Sequence, residues 1–116
     1  GSDKKAPLPK AGDHTVGSLT VVRAPVSMQE PDGKVRPARS GQRIFTGETV
    51  SCAGRALVDH DQGVRVLLDR NSKVTLTDAV IKLLAGRAWV ETTRGFHPLV
   101  QAAGLTVKTD GAAFEL

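Results

Sequence analysis

Turn signals recur along this chain at short, fairly regular intervals, and this spacing restricts the fold more than any other feature. Between the turns lie short runs rich in Val, Leu, Ile and Thr. Short strands separated by turns about every 8–12 residues are typical of an all-β sandwich, barrel or solenoid. The turn signals are Pro31-Asp32-Gly33, Ser40-Gly41, Gly47, Gly54, Gln62-Gly63, Asp69-Arg70-Asn71, Asp78, Gly86, Gly95, Gly104 and Asp110-Gly111.

Apolar and polar residues alternate within these runs, as expected for strands that bury one face. Val74 and Leu76 share one face, while Thr75 between them faces the other way. Leu105 and Val107 repeat the pattern. A period of two is the pleat of a half-buried strand, so we predict an all-β domain of many short strands.

Residues 79–85 are apolar on both faces and are compatible with a short helix. Asp78 suits a helix N-cap, and Gly86 suits a helix end. A helix this short is marginal, however, and Val80 and Ile81 are β-branched. We therefore predict a strand in this segment.

Length and composition indicate one globular domain. The chain has 116 residues, which is enough for a single hydrophobic core. With 40% apolar and 24% charged residues, the chain has enough apolar surface to exclude disorder over its whole length. Its net charge of +4 tolerates an acidic partner without requiring one. No run approaches the roughly 18 apolar residues of a membrane span.

Both ends of the sequence look cut. Gly1-Ser2 resembles a cloning scar, and the Pro- and Lys-rich residues that follow are typical of a flexible linker. We expect residues 1–15 to be this scar and linker, with a native signal peptide or membrane anchor removed. Residues 16–116 are expected to form the domain, which stops in mid-strand at Phe114-Glu115-Leu116 and is therefore truncated.

The ordered segments resemble the FecR-type periplasmic domain, which is best known from regulators of iron-uptake signalling. That family's usual Asp before the central hairpin glycine is Gln62 here, and the Thr two positions before its closing Phe is Ala112. The segments that carry the resemblance are residues 40–50 (SGQRIFTGETV), 54–58 (GRALV), 62–68 (QGVRVLL), 71–76 (NSKVTL), 81–90 (IKLLAGRAWV) and 109–116 (TDGAAFEL).

The resemblance implies a β-solenoid-like or rolled all-β fold, antiparallel or mixed, outside the inner membrane. It also implies a sensor or adaptor that works by contact with another envelope protein in signalling or assembly. Other members of the family accompany cell-wall-binding modules, so a peptidoglycan- or glycan-binding module is the alternative function.

The densest titratable cluster is Asp59-His60-Asp61, beside a hairpin glycine. Its groups are of the types that bind metals or act as acid and base. Neighbouring strand residues point to opposite faces, however, so at most two of the three converge, and a polar turn is the simpler interpretation. We predict no metal site.

Catalytic and cofactor motifs are not evident in the sequence. Cys52 is the single cysteine and is expected in the core, while Ser72 suits a turn that opens the next strand. His14 and His97 belong to no ligand-spaced pair, and no phosphate-binding glycine loop occurs. We therefore predict a protein that is not an enzyme and has no cofactor.

Two surface regions are candidates for partner contact. The first is a basic stretch formed by Lys34, Arg36, Arg39 and Arg43. It has no interleaved aromatic residue, so we do not expect nucleic-acid binding. The second is an exposed strand edge in residues 105–116, where an open edge recruits a partner strand or a second copy into a homodimer. The residues expected at this edge are Leu105, Val107, Phe114 and Leu116.

Two aromatic residues, Trp89 and Phe96, are candidates for a docking patch. Trp89 lies in a short apolar run, Ala88-Trp89-Val90, so we expect it in the core. If it is instead exposed, it becomes the first interface candidate.

Overall fold

The computed structural model describes residues 14–92, 99–102 and 106–109. In these ranges the chain forms strands and no helix, which confirms the predicted all-β class. The strands are β1 (Thr15–Arg23), β2 (Val26–Gln29), β3 (Val35–Pro37), β4 (Arg43–Phe45), β5 (Thr49–Cys52), β6 (Arg55–His60), β7 (Val64–Leu68), β8 (Ser72–Leu76), β9 (Val80–Ala85), β10 (Arg87–Thr92), β11 (Leu99–Ala102) and β12 (Thr106–Thr109).

The strands form two six-stranded sheets. Sheet I has the order β12-β10-β7-β6-β1-β4, and sheet II has the order β11-β9-β8-β5-β2-β3. The expected solenoid-like or rolled form is not confirmed, because the described strands make two separate sheets and no closed or curled one. Residues 79–85, the segment that a helix could also have occupied, form β9 from Val80 onward, as predicted.

In each sheet all strand pairs are antiparallel, except for the pair that the last strand in chain order forms. β12 runs parallel to β10, and β11 runs parallel to β9. In both pairs the partners are 19 positions apart, since Leu99 pairs with Val80 and Thr106 pairs with Arg87. From β9 onward the chain therefore alternates between the sheets, and both sheets are mixed.

The inward faces of the two sheets enclose one aliphatic core. Leu19 and Leu68 come from sheet I, and Met28 and Leu76 come from sheet II, all fully buried. The strands alternate buried and accessible positions, which is the period that the sequence predicts. Each fully buried aliphatic side chain stabilises the fold by about 1.5–3 kcal/mol.

A tight link between β9 and β10 fixes the position of β10. Gly86 has a φ of +84°, and a Cβ atom there would lie 2.6 Å from the carbonyl oxygen of Asn71. Only glycine fits this conformation and this close approach. Next to it, the buried hydroxyl of Ser72 donates to the Arg87 carbonyl at 2.7 Å and accepts from the Arg87 N–H at 3.0 Å. Ser72 is the first residue of β8, so it opens that strand as predicted.

The predicted domain start lies close to the first strand. β1 begins at Thr15, one residue before Val16. The predicted linker lies largely outside the described residues, as does the closing strand predicted around Phe114.

Candidate functional site

Three neighbouring strands of sheet I present the same order of side chains on the outer face. Each carries a charged residue, a large apolar residue and a second charged residue at alternate positions, and alternate positions of a strand share one face. The sets are Arg55, Leu57 and Asp59 on β6; Arg65, Leu67 and Asp69 on and just after β7; and Arg87, Trp89 and Glu91 on β10.

The apolar members line up across the sheet. Leu57 is opposite Leu67, and Leu67 is opposite Trp89. These three half-buried residues form what we call the apolar stripe. Val22 lies in a β-bulge of β1 and is 58% exposed. Val22 and the apolar stripe line a groove of about 410 Å³ on the outer face.

Two charged rows border the apolar stripe. The first row is Arg55, Asp69 and Arg87, and the second row is Asp59, Arg65 and Glu91. In the first row, Arg55 Nε lies 3.3 Å from Asp69 Oδ1. In the second row, Arg65 Nε donates to Asp59 Oδ1 at 2.7 Å. The sign of the charge alternates along each row, and each arginine of β6 and β7 has a carboxylate partner on the neighbouring strand.

The surroundings favour the charged forms of the two central residues of the rows, Asp69 and Arg65. The Arg70 backbone N–H, which donates to the Asp69 carboxylate at 2.8 Å, lowers the pKa of Asp69, and Arg55 and Arg87 add to this effect. The hydrogen bond to Asp59 and the charge of that carboxylate raise the pKa of Arg65. The central residue of each row is therefore held in its charged form at neutral pH.

The expected core position of Trp89 is wrong, because its side chain lies on the outer face. Ala88 and Val90 fill the inward positions of β10, which leaves Trp89 half-buried in the groove. An apolar run of three residues does not reveal which residue points inward. The available signal lay two positions away on either side, where Arg87 and Glu91 share the face of Trp89 and mark it as the solvent side. Phe96 lies outside the described residues.

The structure separates the four residues of the predicted basic surface. Arg36 lies on β3, the terminal strand of sheet II, and Arg43 lies on β4, the terminal strand of sheet I. Lys34 is exposed in the turn before β3, and Arg39 is exposed in the link between β3 and β4.

Carboxylates of the same chain engage both strand arginines of that surface. Arg36 donates to Glu30 at 3.0 Å and to Glu48 at 2.7 Å, and the Glu48 side chain is only 1% exposed. Arg43 donates to Asp61 at 2.6 Å and to Thr15 at 2.9 Å. Their charges are therefore partly neutralised within the chain, which weakens this region as a surface for an acidic partner.

The three residues of the Asp59-His60-Asp61 cluster point in different directions. Asp59 faces Arg65 on the outer face, and Asp61 pairs with Arg43. His60 is 5% exposed and tethers the two sheets: its Nε2 lies 2.7 Å from the Thr77 carbonyl oxygen, and its Nδ1 accepts the Gln62 N–H at 3.0 Å. With Nδ1 as the acceptor, Nε2 is the ring atom that donates to the Thr77 carbonyl.

A shallow depression of about 300 Å³ lies over this cluster and is lined by Asp59, His60, Arg65 and Glu91 among others. Backbone groups engage both ring nitrogens of His60, so neither is available to take a proton from a molecule in the depression. Within the described residues, no group of three His, Cys, Asp or Glu side chains is arranged to hold a metal ion.

Cys52 lies in the core, where the sequence predicts it. It is 1% exposed, and its Sγ lies 4.0 Å from the Leu68 carbonyl oxygen. Burial, together with the negative charge of Asp69, raises the pKa of the thiol to about 11. The thiol therefore stays protonated at neutral pH and is a poor nucleophile. Of the two remaining histidines, His14 lies 2.8 Å from Asp78, and His97 lies outside the described residues.

The predicted strand edge falls only partly within the described residues. Val107 belongs to β12, which is the terminal strand of sheet I among those described. Leu105, Phe114 and Leu116 lie outside the described residues.

Comparisons with protein families, with curated proteins and with solved structures find no match to this chain. Among the described residues, no helix is long and apolar enough to cross a membrane.

Proposed function

We propose that this chain is a non-catalytic interaction module of FecR type, which works by protein–protein contact in cell-envelope signalling or assembly. The observation that carries the proposal is the apolar stripe, which places a tryptophan and two leucines on the outer face of sheet I. The motif order described above supports the FecR type and, with it, a periplasmic or cell-envelope location.

The composition of this face suits a protein interface. Protein interfaces have an apolar centre, often with Trp or Arg, inside a polar rim. Here Trp89 lies at one end of the apolar stripe, and arginines and carboxylates flank it on both sides. A position in the core would bury Trp89 fully, whereas here Trp89 is half-buried and lines the groove.

Site-specific photo-crosslinking in cells of the source organism tests the proposal. A benzophenone amino acid replaces Leu57 in the apolar stripe or, as a matched control, Lys82 on the outer face of sheet II. We expect discrete protein adducts from position 57 that disappear in a Trp89→Ala background, and none from position 82. The same adducts from both positions, or no adduct from position 57, would overturn the proposal.

A glycan-binding module is a second candidate, and one observation favours it. Sugar sites use an exposed aromatic face beside polar groups, and Trp89 shares its groove with Arg55, Asp69 and Glu91. Sedimentation with isolated peptidoglycan separates the candidates: binding that Trp89→Ala removes would support the glycan module, and a protein that stays in the supernatant would exclude it.

A further inference from the structure

We infer that the outer face of sheet I is self-complementary and pairs with the same face of a second copy of this chain. This inference rests on the proposed function, because it names the partner of the surface proposed there. The two copies are related by a two-fold axis that runs along the apolar stripe, across β6, β7 and β10.

The charged rows specify this axis. Read from β6 to β10, the first row carries positive, negative and positive charges, and the second row carries negative, positive and negative charges. Rotation about an axis along the apolar stripe places each strand over its own copy and exchanges the two rows. Arg55 then meets the partner's Asp59, Asp69 meets the partner's Arg65, and Arg87 meets the partner's Glu91. All six contacts of the dimer join opposite charges.

The other face-to-face arrangement fails on the same charges. A two-fold axis along the strands would place β6 over β10 and leave the rows unexchanged. Arg55 would then meet the partner's Arg87, Asp59 would meet the partner's Glu91, and Asp69 would meet its own copy. Like charges at each position oppose this dimer, so electrostatics select one of the two symmetric arrangements.

The apolar groups fit the selected axis. Because the axis runs along the apolar stripe, Leu57, Leu67 and Trp89 each pack near the same residue of the partner, as in an isologous dimer. Face-to-face sheets keep their strands within about 30° of each other, so the contacts remain in register over three adjacent strands. An aliphatic and aromatic centre between complementary charges is the composition of a stable interface.

The outer face of sheet II is not self-complementary. The outward positions of its strands β5, β8 and β9 hold Lys73 and Lys82, hydroxyl residues and two aliphatic residues, with no acidic side chain. A second copy placed on this face would bring lysines together without a carboxylate partner. Self-pairing is therefore specific to sheet I.

Two single charge reversals test the geometry. In Arg65→Glu, residue 65 repels the partner's Asp69 at both symmetric contacts, and Asp69→Lys produces the reciprocal repulsion with the partner's Arg65. Each variant alone should dimerise on the order of 100-fold more weakly than the wild type, since both contacts change sign. In a mixture of the two variants, every contact of the heterodimer is complementary, and dimers should return. Sedimentation equilibrium at low salt measures all three samples.

A second reversal pair keeps the test valid if one of these variants does not fold. Arg55→Glu and Asp59→Lys follow the same logic at a different contact, and circular dichroism checks the fold of every variant. Lys82→Glu on sheet II is the control and should leave the dimer constant unchanged.

Three results would overturn the inference. These are a monomeric wild type, a dimer that Arg65→Glu and Asp69→Lys leave intact, and single variants that dissociate but do not recover on mixing. A dimer that these variants leave intact would point to another contact, such as the β12 edge. The crosslinking experiment separates this failure from that of the proposed function: Trp89-dependent adducts with a different protein at position 57 would retain the docking surface and reject only self-pairing.

Discussion

Arg36 and Arg65 form the same kind of ion pair in two different surroundings. Each guanidinium lies 2.7 Å from a carboxylate oxygen, of Glu48 and of Asp59 respectively. The Glu48 side chain is 1% exposed and also accepts the Phe45 N–H at 2.8 Å, whereas the Asp59 side chain is 38% exposed on the outer face of sheet I. The two distances are equal, so the pairs differ mainly in how deeply the carboxylate is buried.

This difference separates a structural arginine from an accessible one. A buried carboxylate has lost its water, so removal of its arginine leaves an uncompensated charge in a poorly solvated place. An exposed carboxylate regains water when its partner is removed, and such pairs contribute about 0–1 kcal/mol. Arg36 therefore belongs to the scaffold, although the sequence places it in a candidate interaction surface. Arg65 can change partners at small cost to the fold.

The largest expected effect is that of removing Arg36. Arg36→Ala should lower the free energy of unfolding by about 2–3 kcal/mol, because the buried Glu48 carboxylate loses its only guanidinium among the described contacts, and the 39% exposure of the Arg36 side chain limits the loss. Urea denaturation followed by Trp89 fluorescence measures the change. Arg39→Ala is the matched control from the same stretch and should change the free energy by less than about 0.5 kcal/mol. Equal losses of stability in Arg36→Ala and Arg39→Ala would contradict the assignment of Arg36 to the scaffold.

Cys52 sharpens the comparison, because its ionised form would be a buried negative charge near the carboxylate of Asp69. Its pKa rises from an ordinary value of 9.0 to about 11 in the folded chain. The unfolded chain therefore loses the thiol proton first as pH rises. The stabilisation from the protonated thiol is complete below pH 9 and is lost as pH rises from 9 to about 11, by about 2–3 kcal/mol in total.

Unfolding at a series of pH values tests this contribution by comparison with Cys52→Ala. The variant is less stable at neutral pH because it leaves a small cavity, but its stability should fall less between pH 9 and 11 than that of the wild type. All other groups contribute to both profiles alike, so only the difference between the two profiles reports Cys52. Parallel profiles would contradict the expected cost of the buried thiolate.

The fold class was predictable from the sequence because both of its signals are local. Turn residues and the period of two depend on neighbours a few positions apart, and they indicate β9 even where a helix competes. The arrangement into two sheets was not predictable in the same way. It depends on pairs such as β1 with β6, whose partners Gly17 and His60 are 43 positions apart. The FecR resemblance stays a prediction, since no comparison tests it.

The candidate site was missed because it forms only when three strands come together. Leu57, Leu67 and Trp89 belong to separate segments, and nothing in any one segment indicates that they align. The basic stretch stays a prediction, and its ion pairs were not predictable for a related reason. Charge density along the chain does not reveal that Glu48, 12 positions from Arg36, is buried and holds its guanidinium. Local patterns predict strands, but the partners of charged side chains depend on tertiary contacts.

The smallest expected effect is that of disrupting the exposed Arg65–Asp59 pair. This effect is the strictest test of the comparison between the two ion pairs. Arg65→Gln should lower the free energy of unfolding by less than about 1 kcal/mol, measured on protein dilute enough to be monomeric. In a double-mutant cycle with Asp59→Asn, the coupling energy should be small and should decrease at high salt, because solvent screens exposed charges. A coupling energy as large as the effect expected for Arg36→Ala would mean that the outer face of sheet I depends on its charges for folding. The alternating rows would then be explained by stability alone, without a partner.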